Sequence, residues 1–172
     1  MNLQSTDFEL FQLPLQFAQS RELIDTRWKE LQREAHPDKF AAQGAAAQRL
    51  AMQWSVRINE AYQRLKDPLK RASYLCELHD SHINAENNTA MPPAFLIQQM
   101  EWREALEDAT TIAQLEALSD ETTAAEKAQL AVIAHALDVE QDHAKAATDV
   151  RSLMFIQRFG TEVEARIDQL AT

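Results

Sequence analysis

His36-Pro37-Asp38 is the part of this sequence best equipped for chemistry between molecules. An imidazole and a carboxylate stand two positions apart. The proline between them fixes its own φ and pushes its predecessor out of helical geometry. Lys39 and Phe40 follow at once, and Lys29 and Arg33 precede at a spacing that puts both cations on one helix face. Two readings fit these residues alone. In one, the proline ends a helix, the aspartate caps the next segment and the histidine is incidental. In the other, a stiff loop offers a donor, an acceptor and flanking cations to another protein, where such charges steer encounter and set register.

Other reactive groups point nowhere so definite. His79 and His82 fall in a polar stretch, and His135 and His143 lie near a helix end. Neither pair has thiols or carboxylates at ligand spacing, so these read as solvated surface histidines and no metal or cofactor is expected. The single cysteine, Cys76, can form neither an internal disulfide nor a four-thiolate site and reads as a small core filler. Abundant Asp and Glu make carboxylate pairs inevitable, so pairing alone does not indicate acid–base catalysis. With only two glycines, Gly44 and Gly160, there is no glycine-rich phosphate loop. No constellation for an enzyme emerges.

The elements that must hold the tripeptide are helices. Few glycines and prolines, with much alanine, leucine, glutamate and glutamine, predict an all-α chain. Ser20 is a good N-cap for a helix to about Ala35, on which Ile24, Trp28, Leu31 and Ala35 make one apolar stripe. A second helix is expected from about Ala45 to Lys66, with Leu50, Trp54, Ile58, Ala61, Tyr62 and Leu65 inward. Asp67-Pro68 restarts the chain as a third, to about Leu78. The first two form an antiparallel hairpin with the tripeptide in its loop.

The polar stretch His79 to Pro93 reads as a linker, which divides the chain into residues 1–78, a linker at 79–92, and 93–172. Beyond it, helices are expected at about 93–108, 111–118, 120–142 and 144–170. The last carries Val150, Leu153, Ile156, Gly160, Val163, Ile167 and Leu170 on one stripe.

Charge separates the two halves. Residues 1–75 carry 11 Lys+Arg against 9 Asp+Glu, a balance of +2, whereas residues 76–172 carry 6 against 18, a balance of −12. Nucleic-acid binding is not expected of either half. No apolar run approaches the roughly 20 residues that span a bilayer, and no secretory signal is read, so a cytoplasmic protein without a membrane partner is expected.

The helix after the linker carries a second apolar face. Phe95, Trp102 and Leu106 share one side, while Leu96, Ile97 and Met100 lie around the other, beside Glu101 and Glu104. On the last helix, Phe155 stands about 130° from its core stripe at about 100° per residue, flanked by Met154 and Phe159. These residues either pack on a neighbouring element or form an exposed apolar patch with an acidic rim, the usual mark of a partner site.

The order of an apolar start, a basic helix, the loop HPDKF and then INEAYQRLKDPLKRASYL (Ile58 to Leu75) resembles a J domain. With AFLIQQMEWREAL (Ala94 to Leu106) and the segment around Phe155, the whole chain is similar to the bacterial HscB family. That resemblance implies an N-terminal J-domain helical hairpin followed by a C-terminal three-helix bundle. It also implies a co-chaperone rather than an enzyme. His36, Pro37, Asp38, Lys29, Arg33 and Lys39 would contact an HscA-like or DnaK-type chaperone ATPase. Leu96, Met100 and Phe155 would anchor an IscU-like iron–sulfur scaffold protein, with Glu101 and Glu104 on the rim and Ile97 beside them. A general J-domain co-chaperone for unfolded clients is the alternative; the glycine-rich segment or broad peptide groove it would need is absent from the sequence. Two departures stand out. Ala35 replaces a usual aromatic residue before the tripeptide, which is expected to loosen local packing. Gln12 replaces a frequent glycine in the opening turn.

Overall fold

The computed structural model describes residues 2–85 and 91–172. Residues 86–90, part of the expected linker, lie outside the described residues. The described chain is all-α, and it divides into two compact units, Met1–Leu75 and Cys76–Thr172.

The N-terminal unit is built around a helical hairpin. A short helix α1 (Asp7–Leu10) is capped by Thr6, whose hydroxyl accepts the Glu9 N–H at 3.1 Å. Helix α2 (Arg21–Ala35) starts on Ser20, whose hydroxyl accepts the Leu23 N–H, and stops at the extended backbone of His36 ahead of Pro37. A 3₁₀ helix (Pro37–Gln43) leads to Gly44, whose φ of +99° an L side chain would adopt only under strain. Helix α3 (Ala45–Lys66) returns antiparallel to α2, and α4 (Pro68–Leu78) begins after Asp67, whose carboxylate accepts the Leu69 N–H at 2.9 Å. The core gathers Phe8, Leu10, Phe11, Ile24, Ile58, Ala61 and Leu65, all buried.

Polar side chains lock this unit as firmly as apolar ones. Asp7 is fully buried, yet Arg57 reaches its carboxylate at 2.8 Å and Arg64 at 2.6 Å. Its backbone N–H donates to the Tyr74 hydroxyl at 3.0 Å. Burial pushes the Tyr74 phenol upward, and the Asp7 carboxylate raises the Arg64 guanidinium. Arg71, also buried, donates Nε to the Phe17 carbonyl at 2.7 Å and Nη1 to the Leu65 carbonyl. Such bonds prevent the penalty of an unpaired buried charge.

One expectation fails here. Leu50 is half exposed rather than inward, because it borders an open apolar cavity of about 440 Å³ lined also by Leu31, Ala35, Phe40, Ala51, Trp54 and Ile58. Trp54 and Tyr62 are only partly buried. Ala35, which stands where the resemblance led to an aromatic residue being expected, is one of the residues lining the cavity. Gln12 has a φ of +53°, the left-handed conformation for which glycine is the easier residue.

The C-terminal unit is a bundle of α5 (Pro93–Asp108), α6 (Ile112–His135) and α7 (His143–Ala171). Trp102, Leu118, Ile156, Phe159 and Val163 make one core cluster, against which Phe95, Leu106, Ala125 and Ile167 pack. Thr111 and Gln114 form a reciprocal capping box at the start of α6, and Asp142 caps α7. The break expected near Ser119 does not exist. With no glycine or proline there, the helix continues, Thr122 donating its hydroxyl back to the Ser119 carbonyl and Ser119 donating its own to Glu164 on α7. Instead α6 ends at His135, a π turn covers Ala136–Glu140, and Gln141 reverses the chain at φ +53°.

On α7, Phe159 is buried, not exposed beside Phe155, and it stacks on Trp102 with centroids 5.4 Å apart. A helix packed against two others buries a wider arc than one stripe. Leu170, expected inward, is partly exposed in the last turn. The described residues of the polar connection are not free of this unit either: Ile83 is buried and its carbonyl accepts from buried Arg151 at 2.8 Å.

Candidate functional site

The tripeptide loop is prefabricated by its own backbone. His36 is the N-cap of the 3₁₀ helix, and its Nδ1 accepts the Asp38 N–H at 3.2 Å, while its carbonyl accepts the Lys39 N–H at 3.0 Å. Nδ1 as an acceptor leaves the proton on Nε2, which makes the outward nitrogen a donor. The His36 side chain is 57% exposed and the Asp38 side chain 92% exposed. Neither is shielded from a docking molecule.

The expected cations gather beside this loop. Lys29, Arg33, His36 and Lys39, with Trp28 and Gln32, line one open concavity of about 470 Å³. Its floor is held by bonds to α3. Trp28 Nε1 donates to Asn59 Oδ1 at 3.0 Å, Gln32 donates to the same oxygen at 2.7 Å, and the Trp28 ring stacks on Tyr62 at 4.6 Å. Tyr62 in turn donates to Asp25 at 2.8 Å, a bond that lowers the Asp25 carboxyl. Asn59 and Tyr62 of the INEAY stretch thus hold the basic face of α2 in place. What this arrangement offers is recognition: a concavity bordered by Lys29, Arg33, His36 and Lys39, with the exposed Asp38 carboxylate on the adjoining loop.

The second constellation lies on the bundle. Leu96, Ile97 and Met100 are 48%, 57% and 65% exposed, and Glu101 and Glu104 are exposed beside them. The opposite side of α5 is anchored by Trp102 and Phe95 in the core, and Arg103, at the edge of the exposed face, pairs with Glu162 on α7. Phe155 is half-buried and meets Phe95 edge-on, with centroids 6.5 Å apart at 63°. The α7 aromatic therefore joins α5 through the residue next to Leu96. Leu96, Ile97 and Met100 share one face of the helix, and an apolar patch with a polar rim is the kind of surface that marks an interaction site.

The histidines depart from expectation. His79 and His143 stack with centroids 3.7 Å apart and 9° between planes. His143 is half-buried, and burial followed by the neighbouring His79 lowers its pKa. His135 does have a carboxylate partner, Glu140, at 2.9 Å. Among the described residues no group of three or more His, Cys, Asp or Glu could hold a metal ion. Cys76 is buried, and burial pushes its thiol up to about 11. Among the described residues no helix is long and apolar enough to cross a membrane.

A J-domain hairpin carrying an exposed His-Pro-Asp loop, on the same chain as a three-helix bundle, is the build of a J-domain co-chaperone. Residues 91–164 match a family model described as the HSCB C-terminal oligomerisation domain. The Co-chaperone protein HscB homolog of Burkholderia thailandensis is 49% identical over 99% of this chain and 98% of its own. Among solved structures, chaperone HscB from Vibrio cholerae matches with a TM-score of 0.82 and 38% identity, covering 96% of this chain and 99% of that one. Human co-chaperone HscB matches with a TM-score of 0.84 and 26% identity, over 99% of this chain and 84% of that one. The chain belongs to the HscB co-chaperone family. Each of these relatives is named as a chaperone or co-chaperone.

Proposed function

We propose that this protein stimulates the ATPase of an HscA-like or DnaK-type chaperone and delivers an IscU-like scaffold protein to it, assisting iron–sulfur cluster maturation in a reducing cytoplasm. Residues 1–78 act as the J domain, 79–92 as a linker and 93–172 as the client-holding domain. The observation that carries the reading is the pairing, on one chain, of an exposed His36-Pro37-Asp38 loop with an exposed apolar face on α5.

The two sites call for different physics. Lys29, Arg33 and Lys39 steer an acidic chaperone surface into register, which gives a fast, salt-sensitive and transient contact. Once docked, the His36 donor and the Asp38 carboxylate bias a conformational equilibrium in the ATPase. No bond is made or broken by this chain. At the second site, Leu96, Met100 and Phe155 anchor the client by burying apolar area, Ile97 widens that area, and Glu101 and Glu104 set its orientation. Holding the client and triggering the ATPase on one chain raises the local concentration of client at the chaperone.

The test is steady-state ATP hydrolysis by an HscA-like chaperone, with and without an IscU-like protein. Stimulation by this chain alone, and more with client present, is the expected result. Hydrolysis unaffected by the chain under both conditions would refute the proposal.

A further inference from the structure

Phe155, the α7 anchor of the proposed client site, is gripped from two directions. Phe95 meets its ring edge-on at 6.5 Å. Arg158, one helical turn along α7, lays its guanidinium over the same ring, with Cζ 5.6 Å from the centroid. A second arginine provides a contrast. Arg103 also lies over a ring, that of Phe159 at 5.3 Å, but that ring is buried in the core and Arg103 is paired with Glu162. Arg103 thereby serves the seam between α5 and α7. Arg158 is exposed and lies over a ring that is only partly buried.

A guanidinium over an aromatic face is attracted by the ring quadrupole, and an anchor already held in place loses less freedom on binding. We infer that Arg158 is a positioning residue of the client site: together with Phe95 it holds the Phe155 ring in the pose that the client's apolar surface meets. The inference rests on the client-site reading above and adds to it a residue that neither the spacing of apolar side chains nor the acidic rim on α5 identifies.

The full chain carrying Arg158→Gln, and separately Arg158→Lys, is titrated with an IscU-like protein by calorimetry, in the native and in the Phe155→Leu background. Arg158→Gln is expected to weaken binding about two- to fivefold, the range of an exposed cation–π contact. Arg158→Lys should recover part of the loss, and the effect should vanish when Phe155 is leucine. In NMR spectra of the unbound chain, the Arg158 δ-protons should be shifted upfield by the ring current. A purely structural arginine would instead lower the melting temperature while leaving the two backgrounds alike. An equal loss in both backgrounds, no loss in either, or δ-protons at their ordinary position would each overturn the inference. Phe155→Ala separates this failure from that of the parent reading. If it abolishes binding while Arg158→Gln does nothing, only the positioning role falls. If Phe155→Ala leaves affinity unchanged, the client site falls with it.

Discussion

The two proposed sites are built by opposite means. The His36–Asp38 loop is polar and local: its shape comes from a proline, a histidine that caps its own successor, and a short 3₁₀ turn. The α5 patch is apolar and assembled at a distance, from one exposed face of a helix whose other face is pinned by Trp102 and Phe95. The supporting units differ in the same sense. The hairpin unit depends on buried charges, with Asp7 set between Arg57 and Arg64, whereas the bundle depends on an apolar cluster around Phe159 and Val163. A rigid polar loop suits a contact that forms and breaks quickly; clustered apolar anchors suit a client that is kept. Under the proposed function, the difference fits triggering by one unit and holding by the other.

His36→Gln attacks the comparison at its sharpest point. It should remove stimulation of the chaperone ATPase entirely, with client affinity and helical circular dichroism unchanged. Any loss of client affinity would mean that the two units do not work separately. Alanine at Leu96, Met100 and Phe155 together is the reciprocal experiment. Calorimetry should show client affinity falling by more than about 100-fold, since truncating clustered anchors costs on the order of 2 kcal/mol each. Stimulation measured without client should persist.

The supporting networks give a smaller effect. Asp7→Asn leaves Arg57 and Arg64 facing a buried neutral group and should cost the hairpin unit about 3 kcal/mol. Denaturant unfolding followed at Trp28 and Trp54 should move, while the transition reported by Trp102 stays in place. Smallest is the double change Lys29→Ala with Arg33→Ala. It should slow chaperone association by about tenfold at low salt and flatten its salt dependence. A loss that does not change with salt would assign these cations a role other than steering.

Much of the first site was legible because its signals are local. Ser20, Pro37 and the Asp67-Pro68 pair mark helix ends within one or two residues, so the loop and the cations around it followed directly. The face of α5 bearing Leu96, Ile97 and Met100 was legible from helical periodicity, since Trp102 fixes which side is buried. Long-range contacts left no such trace. Asp7 meets Arg57 and Arg64 across 50 residues or more, and only the two-turn spacing of those arginines on α3 could have hinted at a shared target. Alanine gives α6 no readable stripe, so the sequence alone suggests separate helices at 111–118 and 120–142 where one helix runs through. Of the two alternatives open for the residues around Phe155, Phe159 takes the packed one, against Trp102, because α7 packs on two helices and buries more than one stripe. The stack of His79 on His143 joins residues that nothing in the sequence brings together.

The claim that triggering and holding must reside on one chain is tested most directly by splitting them. ATP hydrolysis by the chaperone is measured with client present, for the intact chain and for an equimolar mixture of the His36→Gln and Leu96/Met100/Phe155→Ala variants. The intact chain should raise the rate beyond the sum of its own effect and the client's, and the mixture should not. A mixture that restores the full rate would contradict the account, because the covalent link between the two units would then be dispensable.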